Sequence, residues 1–200
     1  GTSEDKLNFT KFVKEFRQAI EEESLEENKS KLILSAAVAA GHIRIDEGYE
    51  ISEISPNLDF VNLMAFDFHG SWYFKIMYFY IKKYFKLNFY LLRDNHTGLN
   101  APLYNNENEQ DYELNQDWSV SYWIKNGCPP NKIVLGLPAY GRTFYLQNKL
   151  NNGLTARTFP NGTSGNYTKT SGFLSYYEIC EIKKTDGWKT VWMNRSKSHY

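Results

Sequence analysis

The order of apolar stripes and apolar runs constrains this chain more than any other feature. "TSEDKLNFTKFVKEFRQAIEEES" spaces Phe9, Phe12, Val13, Phe16, Ala19 and Ile20 for one face of a helix, and Ser3 before Glu4 and Asp5 suits a helix start. "KLILSAAVAAG" (31–41) is too short for a second long helix and predicts a buried strand. "DEGYEISEISPN" predicts a short helix or turn stopped near Pro56, and "LDFVNLMAFDF" (58–68) a second buried strand. "NQDWSVSYWIKNG" (115–127) predicts a helix closed by Gly127, and "KIVLGLPAYG" (132–141) a third strand. Alternating helices and strands imply an α/β fold with a parallel sheet.

Such sheets bind ligands at the C-terminal ends of their strands. Here those ends carry Phe66, Asp67, His69 and Trp72, then Tyr140 and Arg142. After Phe144 the chain turns polar and turn-rich, and "FLSYYEICEI" predicts a return to helix.

Charge narrows the partners. The 200 residues carry 23 basic and 23 acidic side chains, so nothing favours nucleic acid or an anionic membrane. Aromatic residues reach 16%, which suits either a large core or stacking platforms for flat ligands and sugar rings. Two cysteines, Cys128 and Cys180, lack metal-ligand spacing, so neither metal nor cofactor is expected. Asn-x-Ser/Thr sequons stand at Asn8, Asn28, Asn95, Asn161, Asn166 and Asn194, a weak sign of secretion. The opening "GTSEDKLNF" has neither Met nor signal peptide, as expected of a piece of a longer chain.

Four passages together resemble glycoside hydrolase family 18, the chitinases and chitinase-like lectins. "LILSAAVAAG" resembles that family's fifth barrel strand, and "LDFVNLMAFDFHGSW" its sixth, with the Met-x-Tyr-Asp signature. "KIVLGLPAYGRTF" resembles the seventh strand, and "GFLSYYEIC" the small α+β domain inserted after it. The resemblance implies a partial (β/α)8 TIM barrel, about strands 5–7, over residues 1–144. The start of the inserted α+β domain would fill 145–200. It also implies that the family partner of Cys180 lies outside these residues; a bond to Cys128 has no support from spacing.

The family cleaves β-1,4-linked N-acetylglucosamine by substrate-assisted retention, in which the substrate's acetamide is the nucleophile. Its acid Glu closes an Asp-x-x-Asp-x-Asp-x-Glu motif, which these residues do not contain. "NNENEQDYE" (105–113) has the wrong spacing and reads as a solvated loop. This chain alone is therefore expected to be inactive. The resemblance implies that Asp67 holds the acetamide and its developing positive charge, against a plain strand-end carboxylate. Met64 would line the pocket floor or simply pack in the core. Trp72 would stack on a sugar face. Tyr140 and Arg142 would bond sugar hydroxyls or the acetamide, the alternative for Arg142 being a structural ion pair. His69 would support its loop. Phe66 replaces the usual Tyr and removes a donor to the acetamide carbonyl, and Thr170 stands where relatives often carry an acid. The implied partner is chitin or chito-oligosaccharide, met outside the cell by a monomer, with no membrane role. The product that the resemblance implies is a secreted chitinase or, in the alternative, a chitin-binding lectin.

One stretch departs from all this. Tyr73–Arg93 contains no Gly, Pro, Ala, Ser, Thr, Val, Asp or Glu. Lys75, Lys82, Lys83 and Lys86 interrupt it too often for a membrane span. Its residues are those of A- and T-rich codons, and its removal joins "DFHGSW" to "DNHTGLNAPLY". It reads as a translated retained intron of 63 bases, or else as a lineage-specific loop.

Overall fold

The computed structural model describes residues 3–26, 29–71, 95–107, 111–185 and 187–200. Trp72 and the 73–93 stretch lie outside them. The chain divides into two compact units.

The first unit comprises Gly1–Phe66, Pro102–Asn105 and Asp111–Leu137. Helix α1 spans Ser3–Glu26, with Glu4 and Asp5 in its first turn. Its buried face is Thr10, Val13, Arg17 and Ile20, spaced three and four residues apart as one helical face requires. This corrects the expected stripe. Phe12 and Phe16 are 58% and 46% exposed and stack on each other at 5.6 Å. Arg17 occupies the inner face because it finds partners there. Its Nε donates to the Asn57 carbonyl and its Nη2 to Asp59, both at 2.7 Å. The Arg17 guanidinium, with the Leu34 N–H, holds the Asp59 carboxyl below the usual range.

Strands β1 (Ser35–Ala39), β2 (Phe60–Met64) and β3 (Ile133–Leu135) form a parallel sheet in that order. The register sets Ser35 beside Phe60, Ala39 beside Met64, and Val61 beside Ile133. Val38, Val61, Leu63, Ile54 and Trp123 are fully shielded from solvent in the core of this unit. Between β1 and β2 lie two short helices, α2 (His42–Gly48) and α3 (Ile51–Ile54), and a 3₁₀ turn containing Pro56. Helix α4 (Gln116–Lys125) is capped by Asn115, whose side chain accepts the Trp118 N–H at 2.9 Å. Three side chains of α4 clip it to strand ends. The Trp123 indole donates to the Ala39 carbonyl, Ser119 Oγ to that of Ala40 and Gln116 Nε2 to that of Ala65, each at 3.0 Å. Truncating Trp123 to Ala would cost about 3–5 kcal/mol. Gly127 adopts φ +104 just past the helix, the left-handed geometry a Gly stop supplies.

The run 132–141 is not one strand. The Gly136 N–H donates to the Leu63 carbonyl at 2.8 Å, and Pro138 has no N–H with which to extend a ladder. Order resumes as β4 (Tyr140–Arg142), which pairs with β7 (Phe173–Ser175) and not with the parallel sheet.

The second unit comprises Asp67–Ala101, Asn106–Gln110 and Pro138–Tyr200. Among its described residues are three two-stranded antiparallel sheets: β4 with β7, β5 (Tyr145–Leu146) with β6 (Thr158–Phe159), and β8 (Trp192–Met193) with β9 (Ser198–His199). "FLSYYEICEI" divides into strand β7 and helix α5 (Tyr176–Ile182). The division falls at Ser175, the N-cap of a capping box closed by Glu178. Both cysteines are free thiols: Cys128 is buried, which pushes its pKa up, and Cys180 is half-buried.

Candidate functional site

Three side chains predicted from sequence meet in the second unit. Tyr140 and Arg142 flank Gly141 on β4, so both leave the same face of the strand. The opposite face receives α5, and a side chain on Gly141 would press on Ile179 Cδ1 at 3.0 Å. Phe173 lies opposite Arg142 in the β4–β7 register. The Arg142 guanidinium sits 5.1 Å from the Tyr140 ring centre and 5.5 Å from that of Phe173. The two rings lie 4.8 Å apart.

That face delivers donors to Asp67. The Tyr140 hydroxyl donates to Asp67 Oδ1 at 2.8 Å. Arg142 Nε and Nη2 donate to the same oxygen at 2.9 and 2.7 Å. Among the described residues, none donates to Oδ2. The Asp67 side chain is 33% exposed, against 12% for Arg142. A carboxylate so held keeps one oxygen for a ligand's N–H and sets negative charge beside any cation that forms there. Burial, then the hydrogen bond to Asp67, pushes the Tyr140 phenol up to about 12. Tyr140 is therefore a fixed donor across the physiological range.

The Asp67 backbone is itself unusual, with φ +62. That left-handed region is rare for residues other than Gly, and Asp and Asn tolerate it best. Asn100 Oδ1 accepts the Asp67 N–H at 3.2 Å, and Asn100 Nδ2 donates to the Tyr140 carbonyl at 3.2 Å.

Other predicted residues fall elsewhere. Met64 ends β2, 39% exposed, and Phe66 is half-buried; both belong to the first unit. Trp72 lies outside the described residues. A side chain on Gly98 would strike the His69 ring at 2.1 Å, so that ring rests on bare backbone. The Thr170 hydroxyl donates to the Thr168 carbonyl at 3.1 Å and is exposed. Of the acidic run 105–113, Glu107 pairs with Arg195 in the open, whereas Glu113 pairs with His42 and is 17% exposed. Sequence reasoning passed over Asn100 and Phe173, although Phe173 lies in a passage that carries the family resemblance, "GFLSYYEIC".

Another carboxylate, Glu178, is a structural group. It is 2% exposed. Oε1 accepts the Tyr167 and Thr168 N–H groups, and Oε2 accepts the Ser175 N–H and the hydroxyls of Thr168 and Ser175. Burial alone would raise its pKa, but the donors win and hold it down to about 2. Among the described residues there is no cluster of three metal-ligating acids, histidines or cysteines, and no helix long and apolar enough to cross a membrane.

The profile of glycosyl hydrolases family 18 matches residues 1–200. Chitotriosidase-1 of Mus musculus is 37% identical over 182 residues, covering 90% of this chain and 35% of its own length. "Probable chitinase 10" of Drosophila melanogaster is 37% identical over 191 residues, 96% of this chain and 7% of its own. Among solved structures, the immunomodulatory active chitinase TsES1 of Trichuris suis superposes with a TM-score of 0.85 at 32% identity, over 100% of this chain and 49% of its own. Human YKL-39, described as a pseudo-chitinase with retained chitooligosaccharide binding properties, gives 0.84 at 31%, over 100% and 49%. This chain thus spans less than half the length of each of these relatives. With its profile matched from end to end and such relatives on either side of the catalytic divide, the chain belongs to glycosyl hydrolases family 18.

Proposed function

We propose that this chain is the central part of a family 18 catalytic domain and supplies one wall of a groove for β-1,4-linked N-acetylglucosamine. In this reading β1, β2 and β3 are the fifth, sixth and seventh strands of a (β/α)8 barrel. Residues 145–200 then open the inserted α+β domain. The observation that carries the reading is the convergence of Tyr140 and Arg142 on Oδ1 of Asp67, with no described donor on Oδ2. That second oxygen is suited to accept the acetamide N–H and, during cleavage, to face an oxazolinium ion. Tyr140 and Arg142 fix the carboxylate, and Met64 and Trp72 are the further sugar contacts that the family resemblance implies. The complete protein acts outside the cell as a chitinase.

A second reading has its own support. Phe66 stands at the family's Tyr position and offers no hydroxyl to the acetamide carbonyl. Losing one such preorganised donor costs about 10²–10³ in rate, while binding loses less. That favours a chitin-binding lectin. Sequencing the complete transcript discriminates the two: a Glu closing an upstream Asp-x-x-Asp-x-Asp-x-Glu means enzyme, any non-acid there means lectin.

The direct test is calorimetric titration with the N-acetylglucosamine tetramer and with cellotetraose, which lacks acetamides. Binding of the first alone is expected, weakened about tenfold or more in Asp67→Asn, a change the left-handed backbone tolerates. Equal binding of both sugars, or of neither, overturns the acetamide reading. No sugar release from a chitotriose reporter is expected from the 200-residue chain.

A further inference from the structure

We infer that Asn100 is a positioning residue for Asp67, a side chain that sets the carboxylate's backbone and its donors in a common frame. The inference deepens the sugar-site reading above and rests on it for its functional meaning. It rests for its geometry on three contacts. Asn100 Oδ1 accepts the Asp67 N–H at 3.2 Å. Nδ2 of the same amide donates to the Tyr140 carbonyl at 3.2 Å. The Asn100 main-chain carbonyl accepts the next N–H, that of Phe68, at 3.1 Å.

Each contact answers a need created by the sequence. Asp67 is held at φ +62, a region that an isolated Asp residue leaves for the extended or helical basins. In that turn its N–H has no ladder partner, and an amide oxygen supplies one. The Tyr140 carbonyl lies one residue before Gly141 on β4, the strand that carries both donors to Oδ1. An amide side chain donates and accepts from neighbouring atoms of a single rigid plane. A Ser is too short to span both partners, and an Asp keeps the acceptor while losing the donor. Asn100 thus links the carboxylate's backbone to the strand bearing its partners, without touching the carboxylate itself.

The test uses nitrogen-15 NMR of the whole 200-residue chain at neutral pH. Two resonances are followed: the Asp67 amide, and the Arg142 Nε–H, which is assigned by its loss in Arg142→Lys. In Asn100→Ala the Asp67 amide should exchange about tenfold faster, and the Arg142 Nε–H should move and exchange about tenfold faster as Oδ1 leaves its donors. The amides of Val61 and Leu174, in the two cores, should keep their rates. Unchanged Asp67 and Arg142 signals overturn the proposal, as does a uniform rise at all four sites. If Asn100→Ala fails to fold, Asn100→Asp decides. It should preserve the Asp67 amide and still shift the Arg142 Nε–H; an unshifted Arg142 signal overturns the proposal. Titration of the same samples with the N-acetylglucosamine tetramer reports separately. If wild type binds no sugar while the NMR shifts appear, the sugar reading falls and the positioning role stands.

Discussion

Gly165 lies directly under the Glu178 carboxylate: a methyl on its α-carbon would meet Oε1 at 2.0 Å. Glu178 is immobile, since donors from Tyr167, Thr168 and Ser175 hold both its oxygens. Gly165→Ala should therefore act as an overpacking change of about 1–3 kcal/mol, visible as a lower melting temperature. Gly153, with open space around its α-carbon, is the control and should tolerate Ala.

The same carboxylate sets an acid limit. Its pKa falls from 4.5 to about 2 on folding. A group depressed in the folded state stabilises it at pH values above the unfolded pKa, and that contribution fades as the pH falls through the folded one. Denaturation followed between pH 4.5 and 2 should show stability falling, and Glu178→Gln should flatten that slope while lowering stability at neutral pH. An unaltered slope in the variant would assign acid sensitivity to other carboxylates.

Arg142→Lys separates charge from geometry. Lys keeps the charge but cannot supply both Nε and Nη2 to Oδ1, nor a flat face for Tyr140 and Phe173. Titration with the N-acetylglucosamine tetramer should show about 10–100-fold weaker binding, with the melting temperature little changed. Equal affinity in the two proteins would mean that any positive charge suffices.

Phe66→Tyr supplies the hydroxyl that the proposed acetamide contact lacks. Affinity for the tetramer should rise about 3–10-fold, the value of one added hydrogen bond, with no gain for cellotetraose. A gain for both sugars would show that the hydroxyl meets a ring oxygen or hydroxyl group instead of the acetamide.

The sequence made some of this legible and concealed the rest for identifiable reasons. Strands β1 and β2 are short apolar runs between turns, and α4 announces itself with Asn115 before and Gly127 after. Helix α1 was located, with Val13 and Ile20 rightly on its inner face and Phe12 and Phe16 wrongly so. Hydrophobic spacing favours Phe12 and Phe16, and it cannot see that Arg17 meets Asp59 42 residues further on. The break between β3 and β4 was written in Gly136 and Pro138, yet "KIVLGLPAYG" reads as continuous because most of it is apolar. Asp67, Tyr140 and Arg142 were singled out through expected strand-end positions and the family resemblance, and the structure brings the three together, with Tyr140 and Arg142 on β4 and not at the end of a parallel strand. Asn100 was not singled out, since its role depends on two backbone segments that converge only after folding.

The ion pair at the site has a consequence for selectivity. Asp67 and Arg142 cancel each other, so together they present a dipole and no net charge. A neutral sugar amide docks against such a dipole without releasing or recruiting counter-ions, so its affinity should be nearly indifferent to ionic strength. Glycans carrying uronate or sulfate find no unneutralised cation in this pair to recognise them. In the proposed sugar-binding role, this pair would favour polymers that carry no charge of their own.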